Sequence, residues 1–452
     1  MILLILPLFL SCPSLAEKTL RSFVSRSSLI NDLNRLSEQV DELYGKNEIQ
    51  LDTLKQPPFT DDSPFRIQHL NSKYSDILFE GDIRVSPFHL RRLIRRQRNR
   101  RQAIKGWSNK WPNGIVPYSL HTSINSYKKN AIEEAISFWQ RETCIDFIRR
   151  TTEGVYLHFV GHDDGCWSTV GRDPAQKEQW ISIGNGCEPL GISSHEIAHS
   201  LGLFHEQSRY DRDDHVTLIS SRVPRSLLYN FAKASAREIS TYNLPYDVGS
   251  VMHYSPVEFT NEAGQPSLVA RDANMQQTMG SLEGPSFLDI QIMNTHYRCE
   301  KKCKNRIKCK NRGFIDSRDC NKCKCPTGFG GTLCEKDDYG DTPGCGGEAI
   351  AEEKEKELSF TVLEGKNCFY HIKAPLGRKI SVTLKSVKGR CEHGCGRDRV
   401  EFKINPDPRP IGYRFCCPEE GSRRFTSHSS SLPVLLSSTI SSSSVKIIYR
   451  LN

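Results

Sequence analysis

Three histidines and one glycine restrict this chain more than any other feature. In the stretch SSHEIAHSLGLFHEQSRYDRDDHV, residues 193–216, His195 and His199 are four positions apart, Gly202 follows three later, and His205 three after that. Helical positions four apart share a face, so a helix here aims both histidines the same way. Gly202 can take the left-handed conformation that ends a helix, and a chain that folds back there brings His205 to the same point. Glu196 stands beside that face. Two histidines on a helix surface mean little alone, but the whole H-E-x-x-H-x-x-G-x-x-H spacing arises by chance on the order of once in ten thousand sites or fewer.

Three neutral imidazoles leave a position open for water, which is what catalytic zinc requires. Zinc lowers the pKa of such a water towards neutrality. Glu196 is then the general base that takes its proton during attack on a peptide carbonyl, and the acid that hands it to the leaving amine. Asp211, Asp213 and Asp214 read as partners of Arg209 and Arg212 rather than as ligands. Further along, SVMHY (250–254) places Met252 in a turn of the kind that lies under the metal in zinc proteases of the metzincin class.

The rest of the chain says where such a site would work. At 452 residues more than one folded unit is expected. The opening MILLILPLFLSCPSLA is a short apolar run followed by small residues, a secretory signal (1–16) cleaved after Ala16 and too short to span a bilayer. No later stretch reads as a membrane anchor. Of 17 cysteines, Cys12 lies in the signal, and the even number left predicts disulfides in an exported protein. The net charge of +9 includes the run Arg91 to Arg101. Such arginines could serve a nucleic-acid arm, but export argues against that partner. Arg98-Asn99-Arg100-Arg101 instead suits a furin-like processing protease that cuts between Arg101 and Gln102. Residues 17–101 are polar, partly helical in NDLNRLSEQVDELY, and read as a propeptide. Beyond them Ile132, Ala135, Ile136 and Trp139 recur at helical spacing, while CIDFIRR, VYLHFVG and WISIG are strand-like. An α+β domain over 102–299 follows.

The histidine motif, Glu206 directly after it, HEQSRYDRDDHV, SVMHY, GCWSTVGR and GCEPLG together resemble the astacin family of secreted zinc metalloendopeptidases. The resemblance implies a metzincin-type catalytic domain with one zinc on His195, His199 and His205. Tyr254 is implied to be a displaceable further ligand that turns to stabilise the oxyanion, and Glu206 to tether the mature N-terminus at Gln102. It implies the pairs Cys144–Cys299 and Cys166–Cys187, and an upper edge strand after Cys166 that receives extended substrate. FEGDI (79–83) is similar to the F-x-G-D of astacin prosegments, whose aspartate, here Asp82, blocks the zinc. TMGSLEG (278–284) departs from the family's usual G-Q-R. Arg271 stands where some relatives carry a cation for an acidic substrate side chain.

Residues 300–335 resemble a disulfide-rich EGF-like module, with pairs Cys303–Cys320, Cys309–Cys323 and Cys325–Cys334 implied. After a linker (336–344), residues 345–452 resemble an all-β CUB sandwich with Cys345–Cys368. The pairing among Cys391, Cys395, Cys416 and Cys417 stays open, as does whether the serine-rich end closes the sandwich. The expected function is a secreted, latent zinc endopeptidase acting on extracellular proteins of matrix or egg-envelope type. The alternative is an extracellular adhesion or binding protein built on an inactive protease scaffold.

Overall fold

The computed structural model describes residues 26–45, 66–84, 110–162, 165–236, 239–304, 306–417 and 422–452. The expected signal (1–16) and the Arg101–Gln102 cleavage site fall outside the described residues. Among the described residues no helix is long and apolar enough to cross a membrane.

The N-terminal segment contributes helix α1 (Arg26–Tyr44) and the single turn α2 (Ile67–Leu70). Leu33, Leu36 and Val40 of α1 are buried in a cluster with Leu228, Tyr229 and Phe231 of the central domain. Ser37 Oγ accepts the Tyr229 N–H at 3.0 Å.

The central domain begins with β1 (Ile115–Leu120), helix α3 (Ser126–Glu142), β2 (Asp146–Arg149), β3 (Tyr156–Val160), β4 (Cys166–Ser168) and β5 (Glu178–Ile183). They form one sheet in the order β2-β1-β3-β5-β4. Its pairs are parallel except that of the edge strand β4 with β5. Asn125 starts α3 by accepting the Lys128 N–H. Ile132, Ala135, Ile136 and Trp139, predicted to form its buried stripe, are all buried. Trp139 Nε1 donates to Ser194 O at 3.0 Å, which ties α3 to helix α4 (Leu190–Leu201). Every residue of α4 from Gly191 onwards is buried, its histidines included. Burying polar groups is costly unless they are hydrogen-bonded, and Ser193, Ser194, Ser200, His195 and His199 each bond a backbone carbonyl.

Gly202 caps α4 at φ 114°, and its N–H and that of Leu203 donate to the carbonyls of His199 and Ala198. The chain that follows is mostly irregular, and Val216, Leu218, Leu268 and Ala270 pack into the cluster that α1 joins. This stretch contains the ladder of β6 (Val216–Leu218) with β7 (Leu268–Ala270) and helix α5 (Phe287–His296), which a reciprocal Ser286–Asp289 capping box begins. Disulfides join Cys144 to Cys299 and Cys166 to Cys187.

A cysteine-rich unit follows, with Cys303–Cys320, Cys309–Cys323 and Cys325–Cys334 around two short ladders, β8 (Phe314–Ile315) with β9 (Cys323–Lys324) and β10 (Phe329–Gly330) with β11 (Lys336–Asp337). Arg318 clamps it to the central domain, donating to the Thr143 and Ile145 carbonyls at 2.7 Å each.

The C-terminal unit is a sandwich. One sheet holds β12 (Gly347–Ile350), β14 (Asn367–Lys373), β19 (Ser431–Ser437), β16 (Arg399–Phe402) and β17 (Tyr413–Phe415), in that order. The other holds β13 (Lys356–Val362), β20 (Ser443–Leu451), β15 (Ile380–Lys388) and β18 (Arg423–Thr426). The serine-rich end therefore supplies inner strands of both sheets. Val445, Ile447, Tyr449 and Leu451 alternate into the core between them. Disulfides join Cys345–Cys368, Cys391–Cys417 and Cys395–Cys416, the last two being the pairs that the sequence left open.

Trp139→Ala should destabilise the protein by about 3–5 kcal/mol, the usual cost of emptying a buried tryptophan site. Denaturant melts of the two proteins check this, and a loss well under about 1 kcal/mol would show that α3 does not support α4.

Candidate metal centre

Helix α4 places His195 and His199 one turn apart, and the reversal at Gly202 returns His205 to them. Each ring is set by its Nδ1–H. That of His195 donates to Val251 O at 2.9 Å, that of His199 to Leu203 O at 2.8 Å, and that of His205 to Glu80 Oε2 at 2.8 Å. All three Nε2 atoms therefore face one point, with those of His195 and His199 3.0 Å apart. Such outer partners fix the tautomer that ligates a metal.

The fourth member comes from the N-terminal segment. Asp82 Oδ2 lies 3.2 Å from the Nε2 atoms of His195 and His205, and Oδ1 lies 3.5 Å from that of His199. One ligand atom from each of the four residues falls within 4.8 Å of the others. Burial opposes the Asp82 charge, but His205, His195 and His199 hold its carboxyl well below the usual range. Imidazole nitrogen and carboxylate oxygen are donors that suit zinc, and the buried, preoriented set fits that ion.

Glu196 is fully buried, and neither carboxylate oxygen has a hydrogen-bond partner among the described residues. Burial, and then the Asp82 charge, push its pKa well above the usual range. Met252 is buried, and its carbonyl accepts the Glu206 N–H at 2.8 Å. The turn is pinned by Asp289, whose carboxylate accepts Ser250 Oγ–H at 2.6 Å and the Val251 N–H at 3.0 Å. The Tyr254 hydroxyl donates to Glu80 O at 2.8 Å.

Other expected residues lie around this centre. Glu206 accepts from Arg209 Nη1 at 3.0 Å and from the Asp247 N–H at 2.9 Å, and burial pushes its carboxyl up to about 8. Gln102, its expected partner, is outside the described residues. Arg209 pairs with Asp211, and Arg212 with Asp213. Arg271 is exposed just beyond β7, donates to Asp213 O, and is not among the residues that line the cleft over the histidines.

Two orienting residues escaped the sequence reading. Glu80 sits inside FEGDI, at the motif's variable position, and nothing in the sequence marks it as a partner of His205. Asp289 lies far from the histidines in sequence and carries no signal beyond that of a helix-capping residue. The N-terminal segment also occupies the edge strand. Ile83 bridges Ser168 in parallel, the Ser168 N–H donates to Asp82 O at 2.9 Å, and Asn71 bonds both Gly81 O and the Cys166 backbone.

The family model of the astacin peptidases matches residues 103–298. Zinc metalloproteinase nas-29 of Caenorhabditis elegans is 45% identical over 444 residues, covering 92% of this chain and 83% of its own. Zinc metalloproteinase nas-23 of the same organism is 42% identical over 384 residues, covering 82% and 71%. Among solved structures, high choriolytic enzyme 1, a hatching enzyme zinc-protease from Oryzias latipes, aligns at 33% identity and a TM-score of 0.39, over 44% of this chain and 99% of that one. A three-histidine centre of this spacing, in a chain that matches the metalloproteinases nas-29 and nas-23 over 83% and 71% of their length, makes the protein a zinc metalloendopeptidase of the astacin family.

Proposed function

We propose that the protein is exported as a latent precursor and, once trimmed by a furin-like protease between Arg101 and Gln102, hydrolyses peptide bonds of extracellular proteins. The observation that carries this reading is the Asp82 carboxylate seated among His195, His199 and His205, with the neighbouring chain laid along β4 where an extended substrate would pair. One segment then blocks both the metal position and the substrate edge, which is what latency requires. Eight disulfides support export. The pairings at 300–335 and the sandwich at 345–452 support an EGF-like module and a CUB module. The intact Glu196 and Tyr254 favour an active enzyme over an inert scaffold.

In this reading His195, His199 and His205 hold zinc, which when bound supplies Lewis acidity at the position Asp82 vacates. Glu196, with both oxygens open, takes a proton from the attacking water and passes it to the leaving amine. The Tyr254 hydroxyl, held by Glu80 O in the precursor, is released with the prosegment and donates to the developing oxyanion. Glu206 stays beneath the site, available to the ammonium of Gln102.

Metal analysis should find one zinc per mature chain, and Glu196→Ala should keep that zinc while losing about 10²–10⁴-fold or more in turnover. Substantial residual turnover would remove Glu196 as the base. Tyr254→Phe should lower kcat by about 10²–10³-fold with KM little changed, as for loss of one oxyanion donor. Equal steady-state constants would exclude that role. Asp82→Ala should give an uncleaved precursor with measurable peptidase activity; a silent uncleaved variant would assign latency to steric cover by the rest of the segment.

A further inference from the structure

The cleft over the histidines is a cavity of about 320 Å³, and the catalytic domain does not enclose it alone. Its far wall is made by Glu392, His393, Arg397 and Thr439 of the C-terminal sandwich, next to Leu282 and Glu283 of the central domain. This wall is rigid by construction. The loop 391–397 is closed by Cys391–Cys417 and Cys395–Cys416. Its Gly394 lies so close to the central domain that a Cβ there would stand 2.2 Å from Ser281 N. Neighbouring bonds seat the module. Gln277 Oε1 accepts the N–H groups of Cys416 and Cys417 at 3.3 and 3.4 Å, Thr278 Oγ1 accepts the Arg414 N–H at 3.1 Å, and Asp247 Oδ1 accepts the Ile411 N–H at 3.1 Å. Gln277 and the stretch 278–284, the one that departs from the pattern the resemblance implies, are thus a docking surface for the sandwich.

We propose that this wall is part of the substrate site and selects a basic side chain in the peptide, a reading that rests on the cleft being the protease active site. The charges favour a cation. Glu258, Glu283 and Glu392 line the cavity, and among the described residues outside the N-terminal segment the lining holds one arginine, Arg397. That guanidinium is engaged by Glu392, whose Oε2 accepts its Nε–H at 2.8 Å. Glu283 is met by Arg399 at 3.1 Å and by Arg414 at 3.9 Å, neither of which lines the cavity. The N-terminal segment itself inserts Arg66 into the same cavity. When the segment leaves, Arg66 leaves with it, as do Glu80 and Asp82, and Glu258, Glu283 and Glu392 remain in the lining to meet a lysine or arginine of the substrate.

The test uses the matured full-length enzyme and a peptide library, then matched peptides that carry lysine or glutamine at the responsive position. The parent should favour lysine by at least about 10-fold in kcat/KM, the scale of one charge-assisted contact. Glu392→Gln and Glu283→Gln, each checked for an unchanged melting midpoint, should bring the lysine-to-glutamine ratio towards one. The freed Arg397 in Glu392→Gln should also raise cleavage of peptides with glutamate there. A parent ratio near one, or a ratio unmoved in both variants, would overturn the proposal while leaving the enzyme active. Cleavage that survives in Glu196→Ala would instead overturn the active-site reading on which it rests.

Discussion

Convergence of three imidazoles on one point is the constraint that organises the molecule, and each imidazole owes its direction to a different part of the chain. The cap of α4 directs His199 through Leu203 O, the Met252 turn directs His195 through Val251 O, and the N-terminal segment directs His205 through Glu80. A metal-binding imidazole has one Nδ1–H to give, so each acceptor fixes both the tautomer and the ring plane. The surrounding architecture supports those acceptors. Trp139 holds α4 from one side, Asp289 holds the turn from below, and the reversal at Gly202 lets His205 arrive at all.

The same logic makes the N-terminal segment more than a cover. It supplies a metal-facing carboxylate from Asp82, an orienting carboxylate from Glu80, an acceptor for Tyr254 and a cation, Arg66, in the cleft. In the proposed reading, removal of one peptide therefore changes the fourth position of the metal, frees the hydroxyl needed at the oxyanion and alters the charge of the substrate site together. The C-terminal sandwich remains as a wall of that site, so specificity and catalysis are built on separate units of one chain.

Much of this centre was legible in the sequence because it rests on short-range periodicity. His195, Glu196, His199, Gly202 and His205 form a helix face plus its cap, and the buried stripe Ile132, Ala135, Ile136 and Trp139 is likewise a local pattern. Strands β2, β3 and β5 fall in the stretches that alternate or run apolar. The long-range geometry was not legible. Glu80 meets His205 across 125 residues, and the loop 391–397 reaches the cleft from the far end of the chain. No spacing rule reports which surface a β-sandwich will dock on. The pairing of Cys391 with Cys417 was equally hidden, since adjacent Cys416 and Cys417 are compatible with either partner in sequence. Arg271 illustrates the converse: a suggestive residue type whose side chain turns to Asp213 O instead of the cleft.

The most direct measurement is a crystal structure of the zinc-loaded precursor with anomalous scattering collected at the zinc edge. The account predicts a single peak at the centre of the four residues, about 2.0–2.2 Å from the Nε2 atoms of His195, His199 and His205 and from one oxygen of Asp82. A peak absent from that point, or a zinc bound by the histidines with Asp82 turned away, would contradict it.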